Sequence, residues 1–231
     1  MKYFYIYIFV LVIIIFSFSF FSQYMIYKNE KEGFNNTADD NFKNNILLGD
    51  SIFKNNLYVS QGNAVEDILK NKNAGNIYCY AENNSKIYNV YNQLNNIPLE
   101  LNNPNSTIFL SIGGNDILDR YVERSNPDLN DTDYLNTIFG AYKKLVKSIK
   151  IKMEQCNLVL SDVYYPSSSK YLPYREIITM WNNKVNNYAK EHNIMVLKIS
   201  SVLTQPDDFA LEIEPSEKGG NKLADFIHKF N

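Results

Sequence analysis

Ile46-Leu47-Leu48 runs straight into Gly49-Asp50-Ser51-Ile52. A short apolar run closed by a glycine turn reads as a buried strand and its exit. Ser51 therefore stands at the carboxyl end of the first strand, the edge where open α/β sheets gather ligands and chemistry. A second unit has the same form: Thr107-Ile108-Phe109-Leu110, then Ser111-Ile112-Gly113-Gly114-Asn115-Asp116. Either turn alone fits a plain structural bend. Together, one offers a nucleophilic hydroxyl and the other a side-chain amide, the two halves of an acyl-transfer site.

Outward from these strings, apolar strands alternate with helical spacing. Further strands are expected at Ile77–Tyr80, Leu158–Leu160 and Met195–Leu197. Helices are expected at Asn63–Leu69, Ser85–Leu94, from Asp131 or Thr132 to Met153, at Arg175–Glu191 and at Lys218–Phe230. This alternation predicts an α/β domain with a parallel sheet of about five strands, covered on both faces.

A length of 231 residues holds one medium domain of this kind. Charged residues at 21% and a net charge of -2 are ordinary, so nothing electrostatic argues for nucleic acid as a partner. The abundance of Asn, Ile, Lys and Tyr reads as a coding bias without chemical content. Tyr3 to Tyr27 carries no charge and has aromatic residues at both ends. About 20 apolar residues suffice to cross a bilayer, and Ser17-Phe18-Ser19 is a poor cleavage site. The expected organisation is a transmembrane anchor over 1–27, a polar linker over 28–44 and a catalytic domain over 45–231. Cys79 and Cys156 form no Cys-x-x-Cys unit; two buried thiols or a disulfide both fit, and a metal site does not. No nucleotide, phosphate or metal motif is present, so no cofactor and no metal are expected.

Gly49-Asp50-Ser51 and Gly113-Gly114-Asn115-Asp116 resemble the first and third blocks of the SGNH hydrolases, also called GDSL esterases and lipases. The resemblance runs from about Asn45 to Ile227. It implies a flavodoxin-like three-layer α/β/α sandwich and a membrane-anchored serine esterase acting on carboxylic esters, such as acyl-sugars, other glycan esters or lipid-like esters. Ser51 is then the nucleophile, with its backbone N–H or that of Ile52 and the Asn115 amide as oxyanion donors. The family's second block supplies a glycine N–H; here Asn84, which tolerates positive φ, stands in its place.

The last block departs from the family. Where Asp-x-x-His-Pro is usual, this chain has Leu211-Glu212-Ile213-Glu214-Pro215-Ser216. Leu211 replaces the aspartate and Glu214 the histidine, and the ending is similar to that of an SGNH-like subgroup. His192 precedes strand five, at the opposite edge, and His228 lies in the last helix. Extended backbone before Pro215 would turn Leu211 and Ile213 to the core and Glu212 and Glu214 away from it. Glu214 is the candidate base, though a carboxylate near pKa ~4.3 must be buried or crowded by like charge to serve near neutrality. The alternative is a non-catalytic ester- or carbohydrate-binding module on the same scaffold.

Overall fold

The computed structural model describes residues 43–122 and 132–230. The expected anchor and nearly all of the linker lie outside the described residues. Strands β1 (Asn44–Gly49), β2 (Asn76–Cys79), β3 (Ser106–Ser111), β4 (Asn157–Ser161) and β5 (Met195–Leu197) form one parallel sheet in the order β2-β1-β3-β4-β5. The central strands β1, β3 and β4 are buried on both faces over most of their length, which is why they read as apolar runs rather than alternating ones.

Successive side chains still point to opposite faces. Ile46, Leu48, Ile108, Leu110 and Leu160 pack with α2 (Val90–Asn95), α4 (Thr132–Lys152) and α5 (Arg175–Glu191). Leu47, Phe109 and Val159 pack on the other side with α1 (Val65–Asn71) and α7 (Glu217–His228). Two single turns, α3 (Gly114–Ile117) and α6 (Ile199–Val202), complete the described α-helices. From β1 the chain moves outward to β2, then crosses back to β3 and continues the other way. The exits of β1 and β3 therefore diverge to opposite helical layers and leave a crevice between them, the place where open α/β sheets bind ligands.

Two expectations need correction. The helix expected from Ser85 begins only at Val90. Its would-be first donors are taken by side chains: Lys86 N–H donates to Asn89 Oδ1 at 2.8 Å, and Ile87 N–H to Asp116 Oδ2 at 3.2 Å. Such local bonds compete with helix formation. The segment around Glu214 was also expected to be extended throughout. It is instead an antiparallel hairpin of β6 (Phe209–Ala210) and β7 (Glu214–Pro215), with Ala210 opposite Glu214.

Candidate active site

The turn after β1 is built so that it must hold Ser51 aloft. Gly49 has φ +129°, and a Cβ there would sit 1.7 Å from the Ser111 carbonyl oxygen. Only glycine lets the two strand exits approach so closely. Asp50 N–H donates to that carbonyl at 3.1 Å, and the N–H groups of Phe53 and Lys54 each donate to the Asp50 carbonyl at 3.2 Å. Ser51 is 7% exposed. Its N–H has no acceptor among the described residues, whereas that of Ile52 donates to Asp50 Oδ1 at 3.2 Å. Of the two backbone donors expected from the sequence, the Ser51 N–H is the one left open to a ligand.

Gln93, on α2, grips this turn from behind. Its side-chain oxygen accepts the Gly49 N–H at 2.8 Å, and its nitrogen donates to the Gly49 carbonyl at 2.8 Å and to Ser85 Oγ at 3.0 Å. The Ser85 carbonyl in turn accepts from Asn115 Nδ2 at 2.9 Å. That bond fixes which way the Asn115 amide faces, and its nitrogen keeps a second N–H for a ligand. Gly113, at φ +113°, permits the sharp turn into α3; a Cβ there would lie 2.3 Å from the Trp181 ring. Asn84 does adopt a left-handed φ of +58°. It is exposed and does not line the cleft described below, though its neighbour Ser85 holds Asn115.

Glu214 arrives on the β6–β7 hairpin. Leu211 and Glu212 form its tip with φ values of +48° and +72°, both left-handed. Alternation therefore breaks, and Leu211 is 75% exposed instead of facing the core. Side chains from elsewhere hold the hairpin down. The Tyr164 hydroxyl donates to the Ile213 carbonyl, and Ser168 Oγ donates to Glu212 Oε1 at 3.2 Å. Asn55, wholly buried, donates to the Pro215 carbonyl at 3.2 Å and accepts the Val65 N–H at 2.9 Å. One carboxamide thus ties the loop after Ser51, the start of α1 and the Glu214 segment together.

Burial raises the pKa of Glu214 above its ordinary value, while the nearby Ser51 hydroxyl offsets part of that rise. Glu214 Oε2 is buried without a hydrogen-bond partner. Beside it, Asp50 is pushed up to about 7, mainly by burial, with the Ile52 N–H lowering it and the Glu214 charge raising it. Other acids near the hairpin are engaged elsewhere: Asp208 with Lys222 at 2.6 Å and Asp207 with Lys218 at 2.6 Å. His192 Nδ1 lies 2.9 Å from the Tyr188 carbonyl oxygen, and neither it nor His228 lines the cleft.

Asp50, Ser51, Asn115, Tyr164, Ile213 and Glu214 are among the residues that line one cleft at the carboxyl edge of the sheet. A larger recess of about 220 Å³ lies at the amino edge among Ile149, Met153, Cys156 and Ile194, without a nucleophile and base in register. Cys79 and Cys156 are free, and they pack on opposite faces of the sheet, which excludes a bond between them. Among the described residues, no group of three or more His, Cys, Asp or Glu is placed to hold a metal. Gln93 and Asn55 were not singled out in the sequence; a lone carboxamide in an Asn-rich chain carries no local mark of burial.

No family model and no curated protein matches the chain. Solved structures do. A member of the lipolytic protein G-D-S-L family from Veillonella parvula is 26% identical over 80% of this chain and 95% of that one, with a TM-score of 0.58. The lipase/acylhydrolase from Enterococcus faecalis is 16% identical, covering 81% and 94%, with a TM-score of 0.59. The family 3 carbohydrate esterase of Clostridium thermocellum is 18% identical, covering 81% and 94%, with a TM-score of 0.56. The latter two likenesses speak to the fold alone.

Proposed function

Because the chain belongs to the SGNH hydrolase superfamily, we propose that it is a carboxylic ester hydrolase working through an acyl-enzyme at Ser51. The observation that carries this reading is the meeting of Ser51, Asn115 and Glu214 in one cleft, with the serine hydroxyl near enough to the carboxylate to lower its pKa. Ser51 Oγ attacks the ester carbonyl carbon while Glu214 takes the hydroxyl proton. The carbonyl oxygen becomes an oxyanion held by the Asn115 amide and the Ser51 N–H. Collapse breaks the bond to the alcohol oxygen, which leaves with the proton from Glu214. Water then attacks the acyl-serine, losing its proton to Glu214; the bond from the acyl carbon to Ser51 Oγ breaks, Oγ takes that proton back from Glu214, and the acid departs. Burial supplies the basicity that an exposed glutamate lacks. Residues Tyr3–Tyr27 serve as a membrane anchor in this reading, supported by their length and lack of charge.

A non-catalytic ester- or carbohydrate-binding module on the same scaffold is favoured by one observation, that no histidine lines the cleft. A fluorophosphonate probe separates the two. Ser51 of the full-length protein should be labelled, Ser51→Ala should not, and the labelling rate should rise with pH through a limb above the ordinary carboxylate range. That limb belongs to Glu214, which must lose its proton to act as base, so Glu214→Gln should be slow and lack it. An unlabelled wild type supports the binding module.

A further inference from the structure

Against the cleft lies a second recess, lined on its far side by Ile117, Pro166, Tyr171, Tyr174 and Ile178. The two spaces adjoin, with Gly114, Leu118, Val163, Tyr164 and Ile213 lining both. Tyr171 and Ile178 are each only 6% exposed, yet they belong to neither of the two cores that flank the sheet. Their burial shapes this recess and not the packing of helices on strands.

Building on the ester-hydrolase reading, we propose that the recess is the subsite for the acyl tail, and that it selects a short aliphatic acyl group. The leaving oxygen must collect a proton from Glu214, so the alcohol portion has to stay in the cleft with that carboxylate. None of Asp50, Ser51, Asn115 and Glu214 lines the recess. The Tyr164 hydroxyl, at the shared wall, is already committed to the Ile213 carbonyl. A hydrocarbon tail needs no partner there and gains by leaving water. The free volume is about 40 Å³. At the ~10–15 Å³ that a water-sized group occupies, this accepts roughly three such groups, a tail of about two to four carbons. Ile178, reaching the recess from α5, sets part of its limit.

Fluorophosphonates that share one alkoxy group and carry methyl, butyl or octyl on phosphorus test this directly, because the alkyl chain takes the place of the acyl tail. In each case a Ser51 Oγ–phosphorus bond forms and fluoride leaves. Rates on the full-length protein are read by intact-mass spectrometry. Methyl and butyl should label readily and octyl at least about tenfold more slowly, the scale on which a hydrophobic pocket rejects excess methylenes. Ile178→Ala should raise the octyl rate at least about tenfold relative to butyl, with the methyl rate reporting that the variant is folded. If octyl matches butyl in the wild type, or if a folded Ile178→Ala leaves their ratio unchanged, the subsite assignment fails while the hydrolase stands. If no probe labels Ser51, the hydrolase reading itself fails and the subsite falls with it.

Discussion

The loops that carry Ser51 and Asn115 and the hairpin that carries Glu214 reach the same cleft by different physical means. On the Ser51 side, backbone sterics decide. Gly49 and Gly113 occupy positions where any side chain would collide with the neighbouring strand exit or with Trp181. A buried chain of hydrogen bonds from Gly49 through Gln93 and Ser85 then sets Asn115. On the Glu214 side the backbone works against itself. Two non-glycine residues, Leu211 and Glu212, are held left-handed, and the tip stays in place because Tyr164, Ser168 and Asn55 tether it from distant parts of the chain. One half of the site is specified where it stands; the other is specified from outside. A motif can announce the first kind and has no means of announcing the second.

Three substitutions test this contrast, in descending order of effect. Asn115→Ala removes an oxyanion donor and should lower kcat by about 100-fold or more with the fold intact. A loss under about threefold would mean that the nucleophile side stabilises the oxyanion by its backbone alone. Gln93→Leu strands the Gly49 N–H and the Ser85 hydroxyl in a buried space, at about 1–3 kcal/mol for each unsatisfied group, while the Gly49 carbonyl keeps the Glu82 N–H. Stability should fall by about 2 kcal/mol or more in denaturant titration. Loosened aim of Ser51 and Asn115 should also cut kcat by roughly tenfold while KM hardly moves. If KM rose while kcat held, Gln93 would be shaping substrate binding and not the catalytic turn. Leu211→Gly relieves a left-handed residue and should raise stability by about 0.5–1 kcal/mol. Activity should hold, because the tethers fix Glu214. A drop in kcat would show that the stiffness of the tip aims the base, erasing the difference between the two sides.

The same contrast explains what the sequence disclosed. The five strands were legible because each is a short apolar run ending in a polar turn, and a doubly covered sheet leaves no other pattern. Ser51 and Asn115 were legible because strand exits with glycine are local features. The helix after β2 was placed too early because Asn89 and Asp116 capture backbone donors that propensity assigns to the helix. The hairpin was missed because its left-handed tip, Leu211-Glu212, contains none of the Gly, Asn or Asp that usually signals such a turn. Gln93 and Asn55 escaped notice for a different reason. Against so many carboxamides, two that are buried among partners look like composition, and only the fold separates them from the solvated ones.

The bond from Asn55 to Pro215 joins residues 160 positions apart, and that span has a meaning in time. A chain emerging from the ribosome presents the Gly49 turn, Gln93 and Asn115 well before its C-terminal fifth exists, since domains assemble as synthesis proceeds from the N-terminus. Glu214 is added last, on the hairpin that Tyr164, Ser168 and Asn55 tether. On the ester-hydrolase reading, a polypeptide that stops before the hairpin has the Ser51 hydroxyl and no Glu214 to take its proton, so competence to react coincides with completion of the domain.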